Sequence, residues 1–130
     1  MNTLIYDFET LSQEPADGVA VCLAWLVYDE KRLSDNPDTY EELLDLTEFV
    51  KFDVEEQVEI YNRQIQSDTL NWWKSQPAEA RSVLTPSEDD VSITELPKLL
   101  RSKIPFSDLK KAFTRGNTFD PIMLRSLYKN

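Results

Sequence analysis

The feature that most constrains the fold of this chain is an uninterrupted apolar run at residues 19–28, Val-Ala-Val-Cys-Leu-Ala-Trp-Leu-Val-Tyr. A half-buried strand alternates apolar and polar side chains, whereas a run that is apolar at every position is typical of a strand covered on both faces. Pro15 and Gly18 mark a turn directly before it. The chain is therefore expected to build a sheet around this strand, with other elements packed over the sheet.

The rest of the sequence supplies those elements. Three more strands are predicted at residues 2–7, 43–53 and 109–114. Helices are predicted at residues 54–66, 67–73, 77–84, 94–103 and 120–130, the last with Asp120 as its N-cap and Pro121 in its first turn. This order predicts one α/β domain over residues 1–130, with a mixed sheet flanked by helices and no linker or repeat.

Composition excludes several classes of protein. The chain is 41% apolar and 11% aromatic, which is typical of a globular protein rather than a disordered one. No apolar stretch approaches the ~20 residues that span a membrane, and Asp7 and Glu9 interrupt the apolar N-terminus, so neither a membrane anchor nor a signal peptide is expected. Cys22 is the only cysteine, which excludes an intrachain disulfide and favours a cytoplasmic protein.

Charge is distributed unevenly along the chain. Residues 1–96 contain 6 Lys/Arg and 22 Asp/Glu, a net charge of −16, whereas residues 97–130 contain 8 Lys/Arg and 2 Asp/Glu, a net charge of +6. The overall charge of −10 argues against broad affinity for nucleic acid, because an acidic surface repels phosphates. Asp120 lies within the basic segment, and a carboxylate in a basic field suits a site for metal and phosphate. Ordinary solvated charges on helices and loops are the alternative interpretation.

Paired carboxylates suggest a chemistry for such a site. Asp7 and Glu9 lie two residues apart at the end of the first predicted strand, so both point to the same face, ~7 Å apart along the backbone. Repulsion between them raises a pKa or recruits a cation, and oxygen ligands favour hard ions such as Mg²⁺ or Mn²⁺. The pair therefore indicates metal-assisted phosphodiester chemistry. Taken alone it is a weak signal, because a strand end also exposes acids by chance.

In combination the motifs resemble a known family. Residues 5–10, Ile-Tyr-Asp-Phe-Glu-Thr, resemble the first motif of the DnaQ-like (DEDD) 3′–5′ exonucleases, and residues 117–120, Asn-Thr-Phe-Asp, resemble the second. Residues 71–74, Asn-Trp-Trp-Lys, and 77–81, Pro-Ala-Glu-Ala-Arg, are most similar to the phage DexA-type exonucleases and their bacterial exoribonuclease relatives. The resemblance covers essentially the whole chain. It implies an RNase H-like fold and the cytoplasm of a bacterium or a phage-infected host.

The resemblance also implies roles for individual residues. Two divalent ions, Mg²⁺ or Mn²⁺, would bind beside the scissile phosphate, one activating a water and both stabilising the charge that develops. Asp7 would bridge both ions, Glu9 would bind one, and Asp120 would act on the second through water. The substrate would be the 3′ end of single-stranded RNA or DNA, with Thr10 and Leu11 against the terminal nucleotide and Asn117 lining the pocket. Apart from the resemblance, Arg115 and Trp73 are also expected to bind substrate. Trp73 belongs to the adjacent pair Trp72-Trp73, of which at most one can stack on a base, and packing of one or both in the core is the alternative.

The chain departs from the family pattern in one respect. The family has a fourth carboxylate and a general base in a third motif on a C-terminal helix, whereas this chain has no histidine and no acid after Asp120. The family's last strand and helix are missing as well. Loss of a general base typically costs roughly 100- to 10,000-fold in rate. The sequence therefore predicts a truncated or degenerate exonuclease that is weakly active or inactive alone and that pairs with a second copy or with a complementing C-terminal chain.

Two alternatives to an active nuclease remain. The chain could be a catalytically dead protein that kept the fold and binds nucleic acid or regulates a partner. It could also be a small acidic inhibitor that mimics nucleic acid, an interpretation that depends on the net charge of −16 over residues 1–96. Metal binding that depends on Asp7 separates the nuclease from the mimic, and turnover separates it from the dead protein.

Overall fold

The computed structural model describes residues 2–29, 40–115 and 118–129. Its centre is a four-stranded mixed sheet with the strand order β3-β2-β1-β4. The first strand pairs antiparallel with the second and parallel with the fourth, and the second pairs antiparallel with the third. The strands are β1 (Asn2–Thr10), β2 (Ala20–Asp29), β3 (Glu48–Lys51) and β4 (Leu109–Phe113). The predicted mixed sheet flanked by helices is confirmed.

Six α-helices lie in the described part of the chain. They are α1 (Tyr40–Leu46), α2 (Val54–Glu59), α3 (Ser67–Lys74), α4 (Ala78–Arg81), α5 (Leu96–Lys103) and α6 (Asp120–Tyr128). Short 3₁₀ turns at Ser82–Leu84, Ile93–Glu95 and Phe106–Asp108 follow α4, precede α5 and precede β4. None of the described helices has the length and apolar content that crossing a membrane requires.

Two predictions for the middle of the chain are wrong. Residues 43–53 were expected to form one strand, but α1 occupies Tyr40–Leu46 and only Glu48–Lys51 is extended. The spacing of the leucines in this segment fits a helix as well as a strand. Only residues 48–51 pair with β2, and these residues form the strand. The helix expected over residues 54–66 ends at Glu59 instead, and Asn62 then adopts a left-handed backbone with φ 52°. Asn tolerates that conformation, which an α-helix excludes.

The main core lies against one face of the sheet. Leu4, Tyr6 and Phe8 of β1 alternate with exposed residues, and they pack against β2, the Ile93–Leu100 segment and α6. A second cluster packs Leu11, Val19, Val21 and Cys22 around Trp73 of α3. Burial in this cluster raises the pKa of the Cys22 thiol to about 12, so the thiol stays protonated and behaves as a small apolar group.

The opposite face of the sheet is partly open to solvent. Ile5 of β1 pairs with Leu26 of β2 and with Phe113 of β4, so the three side chains lie in one row across the sheet. Ile5 and Phe113 are exposed, as is Phe49 on β3. Residues 19–23 of the apolar run are therefore buried on both faces, whereas the second half of β2 is covered less completely, with Ala24, Leu26 and Val27 half-buried.

Candidate active site

Three acidic side chains lie within electrostatic range of one another where β1 extends beyond the end of β4. Asp7 and Glu9 lie on the exposed face of β1. The alternating residues Tyr6 and Phe8 are buried on the core face. Asp120 begins α6 and is buried, with 4% of its surface exposed. Pairing of β4 with β1 ends at Ile5, and beyond that point the Asp120 Oδ1 atom accepts a hydrogen bond of 3.2 Å from the Phe8 N–H.

That hydrogen bond corrects the predicted role of Asp120 as an N-cap. Asp120 is the first residue of α6 and Phe119 occupies the cap position without a side-chain hydrogen bond. The Asp120 carboxylate bonds to the backbone of β1, 112 residues away in sequence, instead of to its own helix. Sequence spacing alone cannot distinguish these two partners, because a helix start and a metal-site carboxylate favour the same residue type.

The charges of the three carboxylates act on one another. Burial raises the pKa of Glu9, and the charges of Asp7 and Asp120 raise it further, while Arg115 lowers it. Burial also raises the pKa of Asp7, against the lowering effect of Arg115. For Asp120, burial is the largest cause of a raised pKa, the Phe8 N–H opposes it, and the Asp7 charge adds to it. Mutual repulsion of this kind is relieved by a cation.

A cavity of about 420 Å³ opens beside Glu9. Its walls come from the end of β1, the following turn, α3 and the start of α6. The lining contains two carboxylates and no cation, and it consists of Phe8, Glu9, Thr10, Ser12, Gln13, Asp68, Thr69, Trp72, Trp73 and Phe119. Its size is in the range of small-molecule sites, and its position puts a bound group next to the carboxylates.

The two adjacent tryptophans of α3 have different roles. Trp73 is 5% exposed, and its indole Nε1–H donates to the Thr10 carbonyl at 2.9 Å, so it fixes α3 to the end of β1. Trp72 is 55% exposed and meets Trp73 edge-to-face with ring centroids 5.4 Å apart. Adjacent helical residues point about 100° apart, which explains why one ring is core and the other is free. The exposed ring of the pair is therefore Trp72, whereas Trp73, the residue predicted to bind substrate, is buried, and both line the cavity.

The other predicted substrate-binding residues have mixed positions. Thr10 lines the cavity, and its hydroxyl donates to the Ser12 carbonyl at 2.7 Å. Leu11 is buried in the second core cluster and does not line the cavity. Arg115 is exposed, and its charge reaches Asp7 and Glu9. The prediction for Asn117 falls outside the described residues.

The residues present fit a divalent metal in donor type and in charge. Three carboxylates with raised pKa values form the oxygen-rich donor set that hard cations prefer. Across residues 2–29, 40–115 and 118–129, however, no three His, Cys, Asp or Glu side chains are arranged closely enough to form a ready-made ligand set. A bound ion would have to draw the carboxylates together.

Sequence reasoning missed Phe119 as a cavity residue, and from the pair Trp72-Trp73, considered as a stacking platform, it selected Trp73. Phe119 directly precedes Asp120, and its ring lines the wall beside Phe8. The sequence could have indicated Phe119, because a residue directly next to a site carboxylate lies near the same site. Nothing in the sequence distinguishes Trp72 from Trp73.

Comparison with known proteins agrees with this geometry. Residues 2–130 match the family model of the 3′-5′ exoribonuclease Rv2179c-like domain. The exodeoxyribonuclease of Enterobacteria phage T4 is 35% identical over 95 residues, which is 71% of this chain and 38% of the phage protein. The chain therefore spans well under half the length of that relative.

Solved structures of exonuclease I share the fold. The zinc-bound form of Escherichia coli exonuclease I in complex with single-stranded DNA superposes with a TM-score of 0.60 at 17% identity, covering 98% of this chain and 23% of that one. A product-bound structure of exonuclease I gives the same TM-score and identity and is covered to 25%. The chain belongs to the 3′-5′ exoribonuclease Rv2179c-like domain family, within the DnaQ-like 3′–5′ exonuclease superfamily.

Proposed function

We propose that this domain hydrolyses single-stranded RNA or DNA from the 3′ end, with Mg²⁺ or Mn²⁺ held by Asp7, Glu9 and Asp120. The observation that carries the proposal is that the charges of Asp7 and Asp120 act on Glu9, which lines a cavity of about 420 Å³. Like charges that raise the pKa values of neighbouring carboxylates, as Asp7 does for Glu9 and Asp120, destabilise a fold unless a cation offsets them. Family membership supplies the reaction class.

Each residue of the site has a physical role in this proposal. The Phe8 N–H holds the Oδ1 atom of Asp120 and leaves Oδ2 as the free oxygen. Trp72 offers an exposed ring on which a terminal base can stack, an interaction worth ~1–3 kcal/mol per base. Arg115 offsets part of the carboxylate charge and so makes the approach of a phosphate less unfavourable. A bound metal would activate water and stabilise charge on the phosphate.

The same proposal includes low activity for residues 1–130 alone. The chain contains no histidine, and the described carboxylates do not form a ready-made ligand set. Without a positioned general base the rate is expected to fall roughly 100- to 10,000-fold below that of a complete relative. Catalysis at a useful rate would then need a second copy or a complementing chain to supply the missing groups.

The test is degradation of 5′-labelled single-stranded RNA and DNA oligonucleotides in Mn²⁺, with the phage T4 exodeoxyribonuclease as the reference rate. Asp7→Ala is the test variant, and Asp45→Ala is its matched control, since Asp45 is an exposed aspartate on α1. We expect a slow 3′-to-5′ ladder that Asp7→Ala abolishes and Asp45→Ala leaves intact. A ladder unaffected by Asp7→Ala would contradict the site, and a rate equal to the reference would contradict the low activity.

One observation favours a second candidate, a binding protein without turnover. The carboxylates interact electrostatically but are not preassembled as metal ligands. If folded protein binds Mn²⁺ in an Asp7-dependent manner and binds oligonucleotide but yields no ladder, the binding function replaces the nuclease.

A further inference from the structure

A second cavity, of about 550 Å³, lies against the other side of α6. Ile122, Ser126 and Lys129 line it at helical spacings of four and three, so one face of α6 forms a wall. Asp120 does not line it, because its side chain is buried and bonded to the Phe8 backbone. The cavity is therefore separate from the carboxylate site.

Arg63 forms the inner wall of this cavity and is 4% exposed. Its Nε donates to the Gly18 carbonyl at 2.8 Å and its Nη2 donates to the Ser126 hydroxyl at 2.8 Å, so the guanidinium plane is fixed. No carboxylate among the described residues forms an ion pair with it, and Asp17, an exposed residue of the lining, acts on it only through longer-range charge. Buried charges in proteins are normally paired.

The backbone around Arg63 is held rigidly. The Gln64 N–H donates to the Asp17 carbonyl at 2.8 Å, and the Val19 N–H donates to the Gln64 carbonyl at 2.9 Å. The Ser126 hydroxyl lies 3.0 Å from the Pro15 carbonyl, which it contacts as a donor. Three segments, the turn before β2, the loop after α2 and helix α6, therefore fix one guanidinium before any ligand arrives. Such preorganisation is expected in a binding site.

Two further cations complete the lining. Arg125 on α6 and Lys129, directly after α6, are exposed and line the same cavity as Arg63, and Asp17 is the one carboxylate among the described lining residues. The net charge of the lining is therefore positive in a chain whose overall charge is −10. The cavity beside Glu9 has the opposite character, with Glu9 and Asp68 and no cation. Tyr61 and Ile122 add apolar wall to the cationic cavity.

We propose that this cavity binds a phosphate ester, with Arg63 as the buried anchor and Arg125 and Lys129 as outer contacts. The Arg63 Nε and Nη2 atoms already donate within the protein, so Nη1 carries the N–H donors left for phosphate oxygens, and lysine adds a point charge. A volume of about 550 Å³ exceeds that of phosphate alone and suits a nucleotide-sized group. The phosphate belongs either to a free nucleotide or to the backbone of a strand that also reaches the carboxylates.

The experiment is calorimetric titration of the metal-free chain, in EDTA, with three probes: inorganic phosphate, thymidine 5′-monophosphate, and a hexathymidylate without terminal phosphate. The test variant is Arg125→Gln/Lys129→Gln, because both residues are exposed and their loss leaves the core intact. The matched control is Arg81→Gln/Lys98→Gln, an exposed Arg and Lys on α4 and α5 that line neither cavity. Arg63→Lys is a poorer variant, since its burial puts folding at risk.

We expect the test variant to weaken binding of at least one probe by ~10-fold or more, and the control to change it less than ~2-fold, since charged hydrogen bonds are lost only in the former. Affinity for the monophosphate identifies a free nucleotide as the source of the phosphate. Affinity for the hexathymidylate alone identifies the strand, and its salt dependence should then fall in the test variant.

Failure of this inference is distinguishable from failure of the nuclease. Asp7→Ala should leave binding of inorganic phosphate and of thymidine 5′-monophosphate unchanged, because Asp7 does not line the cavity. If no probe binds at millimolar concentration, or if the test and control variants weaken binding equally, the phosphate site does not exist. Neither result would depend on turnover at the carboxylates.

Discussion

At the scale of single residues, Gln57 shows how a buried side-chain amide can form the hydrogen bonds that a strand would otherwise make with a neighbouring backbone. It is fully buried, its Oε1 accepts from the Ala20 N–H at 2.9 Å, and its Nε2 donates to the carbonyls of Ala20 and Asp53 at 2.8 and 3.1 Å. The side chain thus satisfies both the N–H and the carbonyl of Ala20 at the start of β2. Buried backbone groups of this kind are almost always paired.

Gln57→Leu keeps the approximate volume but leaves the Ala20 N–H without its partner. We expect a loss of about 2–5 kcal/mol in the free energy of unfolding, because each unpaired buried group costs roughly 1–3 kcal/mol. Urea denaturation measures it. Gln76→Leu is the matched control, since Gln76 bonds to the Trp72 carbonyl near the surface and should cost little. Equal losses in both variants would contradict this role for Gln57.

The carboxylates of the site lead to a prediction about metal and pH. The raised pKa values of Asp7, Glu9 and Asp120 mean that the folded chain holds more protons than the unfolded chain between the ordinary and the raised values. Their contribution to stability therefore falls as pH rises through that interval. A divalent ion removes this cost at neutral pH, and protons compete with the ion in acid.

We expect Mn²⁺ at pH 7 to raise the melting temperature, by an amount equivalent to about 2.7 kcal/mol at 100 times its Kd. The increment should shrink as pH falls towards the ordinary carboxyl pKa near 4. Asp7→Asn should raise the metal-free melting temperature and abolish the Mn²⁺ increment. Differential scanning fluorimetry measures all three, and a Mn²⁺ increment retained in Asp7→Asn would show that the ion binds elsewhere.

At the scale of elements, α3 carries two adjacent tryptophans, one of which is buried and the other exposed. Trp73 fixes the helix to the end of β1 through its indole and its burial in the second core cluster. Trp72 presents its ring to the cavity and to solvent. The helix therefore connects the second core cluster to the cavity beside Glu9.

Substitution of each tryptophan by alanine tests this division. Trp73→Ala should cost about 3–5 kcal/mol in unfolding free energy, as expected for a buried aromatic residue. Trp72→Ala should change stability much less and should instead weaken oligonucleotide binding by ~1–3 kcal/mol. Thermal unfolding and fluorescence anisotropy of a labelled oligonucleotide give the two values. The assignment is wrong if Trp72→Ala is the more destabilising variant.

At the scale of the whole molecule, the described residues leave an apolar row exposed and place β4 at the edge of the sheet. Ile5, Leu26 and Phe113 form the row, and β4 is exposed along most of its length. Exposed edges and apolar patches promote association with other chains. This surface supports the proposal that the domain pairs with a second copy or with a complementing chain.

We expect the chain to self-associate as its concentration rises, and Phe113→Lys to shift it towards monomer. The substitution adds charge to an exposed edge strand, where it should cost little stability. Sedimentation velocity over a hundredfold concentration range measures the fraction of monomer in each variant. Phe106→Lys, at another exposed phenylalanine, is the control. A monomer at every concentration would remove the support for self-pairing.

The sequence by itself determined the elements with strong periodicity and the residue types of the site. Residues 19–28, 94–103 and 109–114 are close to the observed elements because their apolar patterns are long or flanked by Pro and Gly. Alternation along β1 put Asp7 and Glu9 on one face, a consequence of local backbone geometry alone. The family resemblance added Asp120, and the structure brings it to β1.

Tertiary contacts decided the rest. Residues 43–53 divide into α1 and β3 because only part of the segment pairs with β2. Asp120 bonds to Phe8 instead of capping its helix, and Trp72 rather than Trp73 is exposed. The cationic cavity around Arg63 joins residues from three distant segments. Each outcome depends on which groups meet across long sequence separations, and local propensity carries no information about those partners.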